Sequence, residues 1–284
     1  MLTFPVGHFS NNGGGGGGGN PVFLDDVINS VCFDLDATIA ASYDDGVDSQ
    51  KWFNLIASPA DGESQSAYDF YRGNDNSSST DDPTHNGTVG NDAAYWTLDG
   101  GDLFSLVSGA NTTLLGDLHK TTGGKDFWIA IAWHQVDNSW PGAVMFTNRG
   151  HNGNAQKGIE FSLINNQQKV QLVHRGTSFT SLISDQLSAG EAAGDHITLI
   201  SHSHSGDESR LWLNSTLKTA AHTFSATTAA SALATIGAYS GGASGMSTET
   251  RLYSVAIGNE YLSAEGAANI IAHLETRHNR DYTP

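Results

Sequence analysis

Basic residues are scarce: 13 Lys and Arg stand against 30 Asp and Glu, a formal net charge of -17 over 284 residues. A surface this acidic repels phosphate backbones and anionic bilayers, so neither nucleic acid nor a membrane surface is an expected partner. Cysteine is nearly absent. Cys32 is the sole one, which excludes an internal disulfide, and its apolar neighbours Val31 and Phe33 predict a buried, inert thiol. No apolar run approaches the roughly 18 residues of a membrane span. Residues 1–5 show no basic stretch leading into an apolar one, so no signal peptide is expected. Glycine is plentiful, but the run at 13–19 is followed by neither Lys-Ser nor Lys-Thr, and no nucleotide-binding fingerprint results.

What is present divides the chain in two. Residues 1–20 carry apolar Phe4, Val6 and Phe9 ahead of seven consecutive glycines. That composition predicts an extended N-terminal arm, an apolar tip on a flexible tether, able to anchor the protein in an assembly. Residues 21–284 read as one globular domain of short β-runs with turn-forming connections. Residues 127–133 are apolar on both faces, as in the centre of a sandwich, and residues 158–163, 169–173, 196–201, 210–214, 234–238 and 250–257 add further strands. Near the end, Ser263 is a candidate N-cap, and Ala267, Ile270, Ile271 and Leu274 form the apolar stripe of a helix. Residues 73–92 predict a long polar loop, of the kind that often carries function.

The order of these runs resembles laminin G-like domains of the concanavalin A-like superfamily. Tyr95-Trp96-Thr97-Leu98-Asp99-Gly100-Gly101-Asp102-Leu103-Phe104 is similar to that family's F-D-G-x-D strand pair. Asp126-Phe127-Trp128-Ile129, Arg210-Leu211-Trp212-Leu213-Asn214 and Ala234-Thr235-Ile236-Gly237 resemble three further strands. Arg251-Leu252-Tyr253-Ser254-Val255 followed by Leu262-Ser263-Ala264-Glu265 resembles the closing segment before the terminal helix, and Phe33-Asp34-Leu35-Asp36-Ala37 the opening of microbial and phage members. The resemblance spans about residues 30–282 and implies an all-β fold: a concanavalin A-like jelly-roll β-sandwich with one C-terminal helix. With the glycine-rich arm it is most like virion proteins of tailed phages. It implies a tail-fibre, tail-tip or capsid-decoration role on the virion surface, assembly in a host cytoplasm, homo-oligomers, contacts to other virion proteins through the arm, and a host-surface polysaccharide as ligand. A free carbohydrate-binding module or a glycoside hydrolase is the alternative.

Fold does not fix function, so the candidate chemistry is read residue by residue. Glycosidases of this superfamily alternate carboxylates on one strand, because one attacks or activates water while another protonates the leaving oxygen. Glu160 has no acidic residue two positions away, and no enzyme is expected. The resemblance implies Ca²⁺ at the sandwich rim, for which Asp81, Asp82, Asp99 and Asp102 are the candidates; the alternative is that they shape turns. His202 and His204 share a strand face, with a hairpin-loop role the leading reading over a metal site. For glycan, aromatic faces beside polar groups are needed. Trp140, in the turn-like run Asp137-Asn138-Ser139-Trp140-Pro141-Gly142, is the leading candidate, followed by Tyr71, Tyr239 and the polar His85; Trp128 and Trp212 are assigned to the core.

Overall fold

Residues 127–135 set the plan of the molecule. Phe127, Ile129, Ile131 and Trp133 alternate with Trp128, Ala130 and Ala132, and each set enters a different apolar cluster. A strand apolar on both faces must be covered twice, by a second sheet on one side and by another layer on the other. The computed structural model, which describes residues 23–46, 48–151, 156–188, 191–230 and 232–282, meets both demands.

Among the described residues the strands are, in chain order, β1 (Val31–Asp36), β2 (Lys51–Trp52), β3 (Phe70–Arg72), β4 (Thr84–Asn86), β5 (Tyr95–Thr97), β6 (Phe104–Leu106), β7 (Phe127–Gln135) and β8 (Val144–Thr147). They continue with β9 (Gly158–Ile164), β10 (Lys169–Arg175), β11 (Phe179–Ile183), β12 (Gly194–Ser203), β13 (Glu208–Leu213), β14 (Thr216–Ala221), β15 (Thr235–Ile236) and β16 (Thr250–Gly258). Two α-helices accompany them, the short α1 (Thr113–Asp117) and the long α2 (Ala264–His278).

The first sheet runs β14-β13-β12-β7-β16-β5-β4, with β1 also on β16; the second runs β11-β10-β9-β8-β15-β6-β3-β2. These pairings are all antiparallel. The main core lies between the sheets and includes Phe33, Trp52, Phe104, Phe127, Phe146, Phe161 and Leu172. The second core lies on the outer face of the first sheet, where Trp128, Leu199, Trp212 and Tyr253 meet Ala267, Ile270, Ile271 and Leu274 of α2. The expected helix therefore forms where its stripe placed it. Ser263 caps it, its hydroxyl accepting from the Gly266 N–H at 3.0 Å, and Asn279 ends it in the left-handed conformation at φ 49°.

One expectation changes and one element is added. The polar stretch 73–92 is not wholly loop, since β4 lies within it. The helix α1, begun by Thr112 accepting from the Leu115 N–H at 3.3 Å, has no counterpart in the sequence reading. Residues 1–20, with Phe4, Val6 and Phe9, lie outside the described residues. Cys32 is fully buried, and burial pushes its thiol up to about 12. Among the described residues no helix is long and apolar enough to cross a membrane.

Candidate functional site

Strand alternation builds the site on the outer face of the second sheet. On β9, Ile159, Phe161 and Leu163 enter the main core, so Glu160 and Ser162 face outward. On β10, Val170 and Leu172 enter the core, so Lys169, Gln171, Val173 and Arg175 face outward. The register sets Gln171 beside Ser162 and Val173 beside Glu160. A relay of hydrogen bonds crosses the two strands: Gln171 Nε2 donates to Ser162 Oγ at 3.0 Å, and Ser162 Oγ donates to Glu160 Oε1 at 2.9 Å.

Two loops complete the arrangement from above. The loop after β8 supplies Arg149, whose Nη2 lies 3.2 Å from Glu160 Oε2 and donates to the Tyr239 hydroxyl at 2.9 Å. The loop after β15 supplies Tyr239, whose hydroxyl donates to Glu160 Oε2. That loop turns on Gly237 and Gly242, at φ 91° and 78°, where a side chain is strained. A Cβ on Gly242 would also lie 2.7 Å from the Gly101 carbonyl, so the loop rests on the 99–102 turn. Burial, then the bond to Glu160 and its charge, pushes the Tyr239 phenol well above its ordinary range, so it stays protonated at neutral pH. The result is a cleft of about 230 Å³ with Glu160, Ser162, Gln171, Asn165, Tyr239 and Ser244 in its lining and Val144 and Leu163 among its apolar members. Its single carboxylate is held between a cation and two hydroxyls, and what it offers a ligand is a fixed set of hydrogen-bonding groups on a partly apolar floor.

The residues singled out from sequence do not share one groove. Tyr239 is in this cleft, though only 5 % exposed. Trp140 is a correction: expected to stand in an exposed turn, it is buried, its Nε1 donating to the Ala192 carbonyl at 2.8 Å. Its ring meets Trp133 edge-on with centroids 4.9 Å apart and packs near His196, so tertiary packing overrides the turn-like local sequence. Tyr71 is half-buried on β3 with Lys51 over its ring. His85 belongs to the other sheet, paired with Trp96 and packed on Tyr43, its Nε2 bonded to the Ala37 carbonyl at 3.1 Å. His202 faces the core, stacked on Phe224 at 3.8 Å, with Nδ1 bonded to Ser209 Oγ at 2.9 Å.

Three of the four aspartates expected to take Ca²⁺ accept from backbone N–H groups of their own turns, and the fourth, Asp81, from side chains. Asp102 Oδ2 accepts from the Asp99 N–H at 3.0 Å, Asp99 Oδ1 from the Gly101 N–H at 3.2 Å, Asp82 Oδ2 from the Ser79 N–H at 3.2 Å, and Asp81 is bonded to Asn74 and Ser79. Among the described residues no group of three or more His, Cys, Asp or Glu is arranged to hold a metal ion.

Arg149, Ser162 and Gln171 were not foreseen as site residues. The alternation around Glu160 and Gln171 carried a signal for the strand pair. Arg149 reaches the site from a loop and left none; Tyr239, also on a loop, was foreseen as an aromatic candidate, but its bond to Glu160 across 79 residues of sequence left no signal.

No family model matches the sequence, and no curated protein matches it. Solved structures do resemble the fold. One is botulinum neurotoxin type C, dependent for its passage into cells upon interaction with two ganglioside molecules (TM-score 0.57, 9% identity, covering 89% of this chain and 53% of that chain). Another is the binding domain of botulinum neurotoxin serotype D (TM-score 0.51, 11% identity, 86% and 51%). A third is the Ruminococcus gnavus IT-sialidase CBM40 bound to α2,6 sialyllactose (TM-score 0.42, 13% identity, 54% and 90%). The chain spans about half the length of the two toxin structures. At these identities the likeness is one of fold, and the toxin structures carry it. The protein is an all-β jelly-roll sandwich of two antiparallel sheets with a C-terminal helix.

Proposed function

We propose that the protein is a non-enzymatic glycan-binding β-sandwich and that the cleft over β8–β10 receives the sugar. The observation that carries this reading is the Gln171–Ser162–Glu160–Tyr239–Arg149 relay: hydrogen-bonding groups fixed in direction, beside Val144 in the same row. Sugars present hydroxyls and apolar C–H faces together, and such a mixed lining suits both. Hydrolysis by a carboxylate pair needs a second carboxylate across the scissile bond. The cleft lining contains Glu160 alone, neutralised by Arg149, and a phenol kept protonated is a poor nucleophile. That a toxin of the same fold depends upon gangliosides is support by analogy only.

The test is a glycan array followed by calorimetry. Wild-type protein is expected to bind at least one glycan without cleaving it, and Gln171→Ala to weaken that binding by about tenfold, the loss of one hydrogen bond at a desolvated contact. No binding across the array, or turnover of the bound sugar, overturns the reading. A virion-surface setting, with residues 1–20 anchoring several copies to other particle proteins, is a separate proposal that rests on the sequence of that arm. Particle incorporation that survives deletion of residues 1–20 overturns it.

A further inference from the structure

The outer face of the second sheet does not end at the cleft. β11 is the last strand of that sheet, and it alternates: Leu182 enters the main core and Thr180 meets His174, so Phe179, Ser181 and Ile183 point outward. The register puts Ile183 beside Gln171, and Phe179 beside Arg175. Val144, Ser162, Gln171 and Ile183 thus form one row across β8, β9, β10 and β11. Three strand spacings make that row about 14 Å long.

Phe179 is 59% exposed and Ile183 39% exposed; among the described residues only Val136 and Leu217 are comparable large apolar groups open to solvent. On one strand face, continuous with a polar cleft, the pair supplies what the cleft lacks, an open aromatic and aliphatic surface for the C–H face of a sugar. A protein partner is a poorer fit. Two side chains separated by Ser181 offer far less than the roughly 800 Å² per partner of a stable interface. Just beyond the strand, Asp185 pairs with Lys218 of β14 at 2.9 Å, and charge at a sheet edge opposes addition of another strand.

We propose that the outer face of β11 is a second subsite, in which Ile183, beside the cleft, and Phe179, about 13 Å further along the strand, receive successive residues of an oligosaccharide whose first residue lies in the cleft. The proposal rests on the glycan-binding reading and deepens it: the ligand is a chain of at least three sugars running from the cleft onto β11 and along it.

The experiment is calorimetric titration of the full chain with galactose, lactose and ladders of malto-, cello- and galacto-oligosaccharides from one to six residues. It is run on the wild type, Phe179→Ala and the double variant Phe179→Ala/Ile183→Ser, both at exposed positions. Wild-type affinity is expected to rise with chain length and level off. The variants are expected to lose about tenfold in affinity for the longer members and to match wild type, within twofold, for the shortest that binds. Equal loss at every length, or none, overturns the subsite while leaving glycan binding intact. A change of oligomeric state in the variants by sedimentation also overturns it, in favour of a protein interface. Wild type that binds none of these sugars overturns the subsite together with the reading beneath it.

Discussion

At the scale of single residues, Asp102 is the carboxylate its surroundings disturb most usefully. It is 4% exposed, Oδ2 accepts from the Asp99 N–H, and Oδ1 has no hydrogen-bond partner. Burial, then the Asp99 side chain and the charges of Asp99 and Asp82, push its carboxyl up to about 7. The folded state therefore holds a proton that the unfolded chain releases near pH 3.9. The stability this contributes is complete below that pH and is lost as pH rises through 7. Asp102→Asn keeps an acceptor for Asp99 and removes the charge. Its melting temperature is expected to exceed that of wild type at pH 8, and the advantage to shrink between pH 7 and pH 4 by about 1.4 kcal/mol per pH unit. Thermal unfolding at several pH values decides it: an advantage independent of pH refutes the assignment.

At the scale of elements, α2 is held to the first sheet by more than its apolar stripe. Phe33 and Leu35 of β1 face the main core, which turns Asp34 and Asp36 toward the helix, both fully buried. Arg277 meets them there, with Nη2 2.7 Å from Asp34 Oδ2 and Nη1 3.0 Å from Asp36 Oδ2, and His278 Nε2 lies 2.9 Å from Asp36 Oδ2. Burial alone would push the Asp36 carboxyl up; His278, Arg277 and Thr38 outweigh it and hold it well below the usual range. Removing one partner of a buried pair leaves charge unmatched, so Arg277→Ala is expected to lower unfolding stability by about 3–5 kcal/mol. Urea unfolding at pH 7 measures it, and a loss below about 1 kcal/mol contradicts the picture. The same element shows what the sequence makes legible. Ser263, the stripe and the basic end of α2 could be read directly, because helix caps and periodicity are local. The long strands β7, β9, β10, β12 and β16 were legible for the same reason. The two- and three-residue strands β2, β3, β4 and β15 have no period to detect and exist through their partners, although residues 234–238 did mark β15. The site was half legible: Tyr239 was named as an aromatic candidate and Glu160 was noticed as an acid with no acidic residue two positions away, but their pairing with each other and with Arg149 arises from loop geometry. Trp140 failed for the opposite reason, its turn-like neighbours hiding a tertiary contact.

Over the whole molecule, the sandwich closes around a group of histidines that bear no charge in the fold. His174 of β10 comes from one sheet, His202 of β12 from the other, and His222 follows β14. Phe224 lies between them, its ring stacked 3.8 Å from that of His202 and 4.4 Å from that of His174, while Ser209 Oγ bridges His202 Nδ1 at 2.9 Å and His222 Nδ1 at 3.0 Å. Thr180 faces His174, and His119 and His204 neighbour His174 and His202 respectively. Burial first, and then mutual repulsion, drops His174 to about 4 and His202 to about 3; burial lowers His222 as well. The unfolded chain takes up these protons near pH 6.5, and the fold refuses them until much lower pH. Stability from the cluster is therefore complete above about pH 6.5 and declines as pH falls toward 4, by about 1.4 kcal/mol per pH unit for each proton refused. Because the histidines join the two sheets, their protonation is expected to loosen the sandwich as a unit rather than fray one edge. Urea midpoints at pH 7, 6, 5 and 4 should fall, and His202→Leu, which keeps the volume apolar against Phe224, should flatten the slope by about one proton relative to wild type. Carboxylates such as Asp36 also lose stability in acid, so the comparison between variant and wild type is the decisive one: equal slopes would move the acid sensitivity from the histidine cluster to the carboxylates.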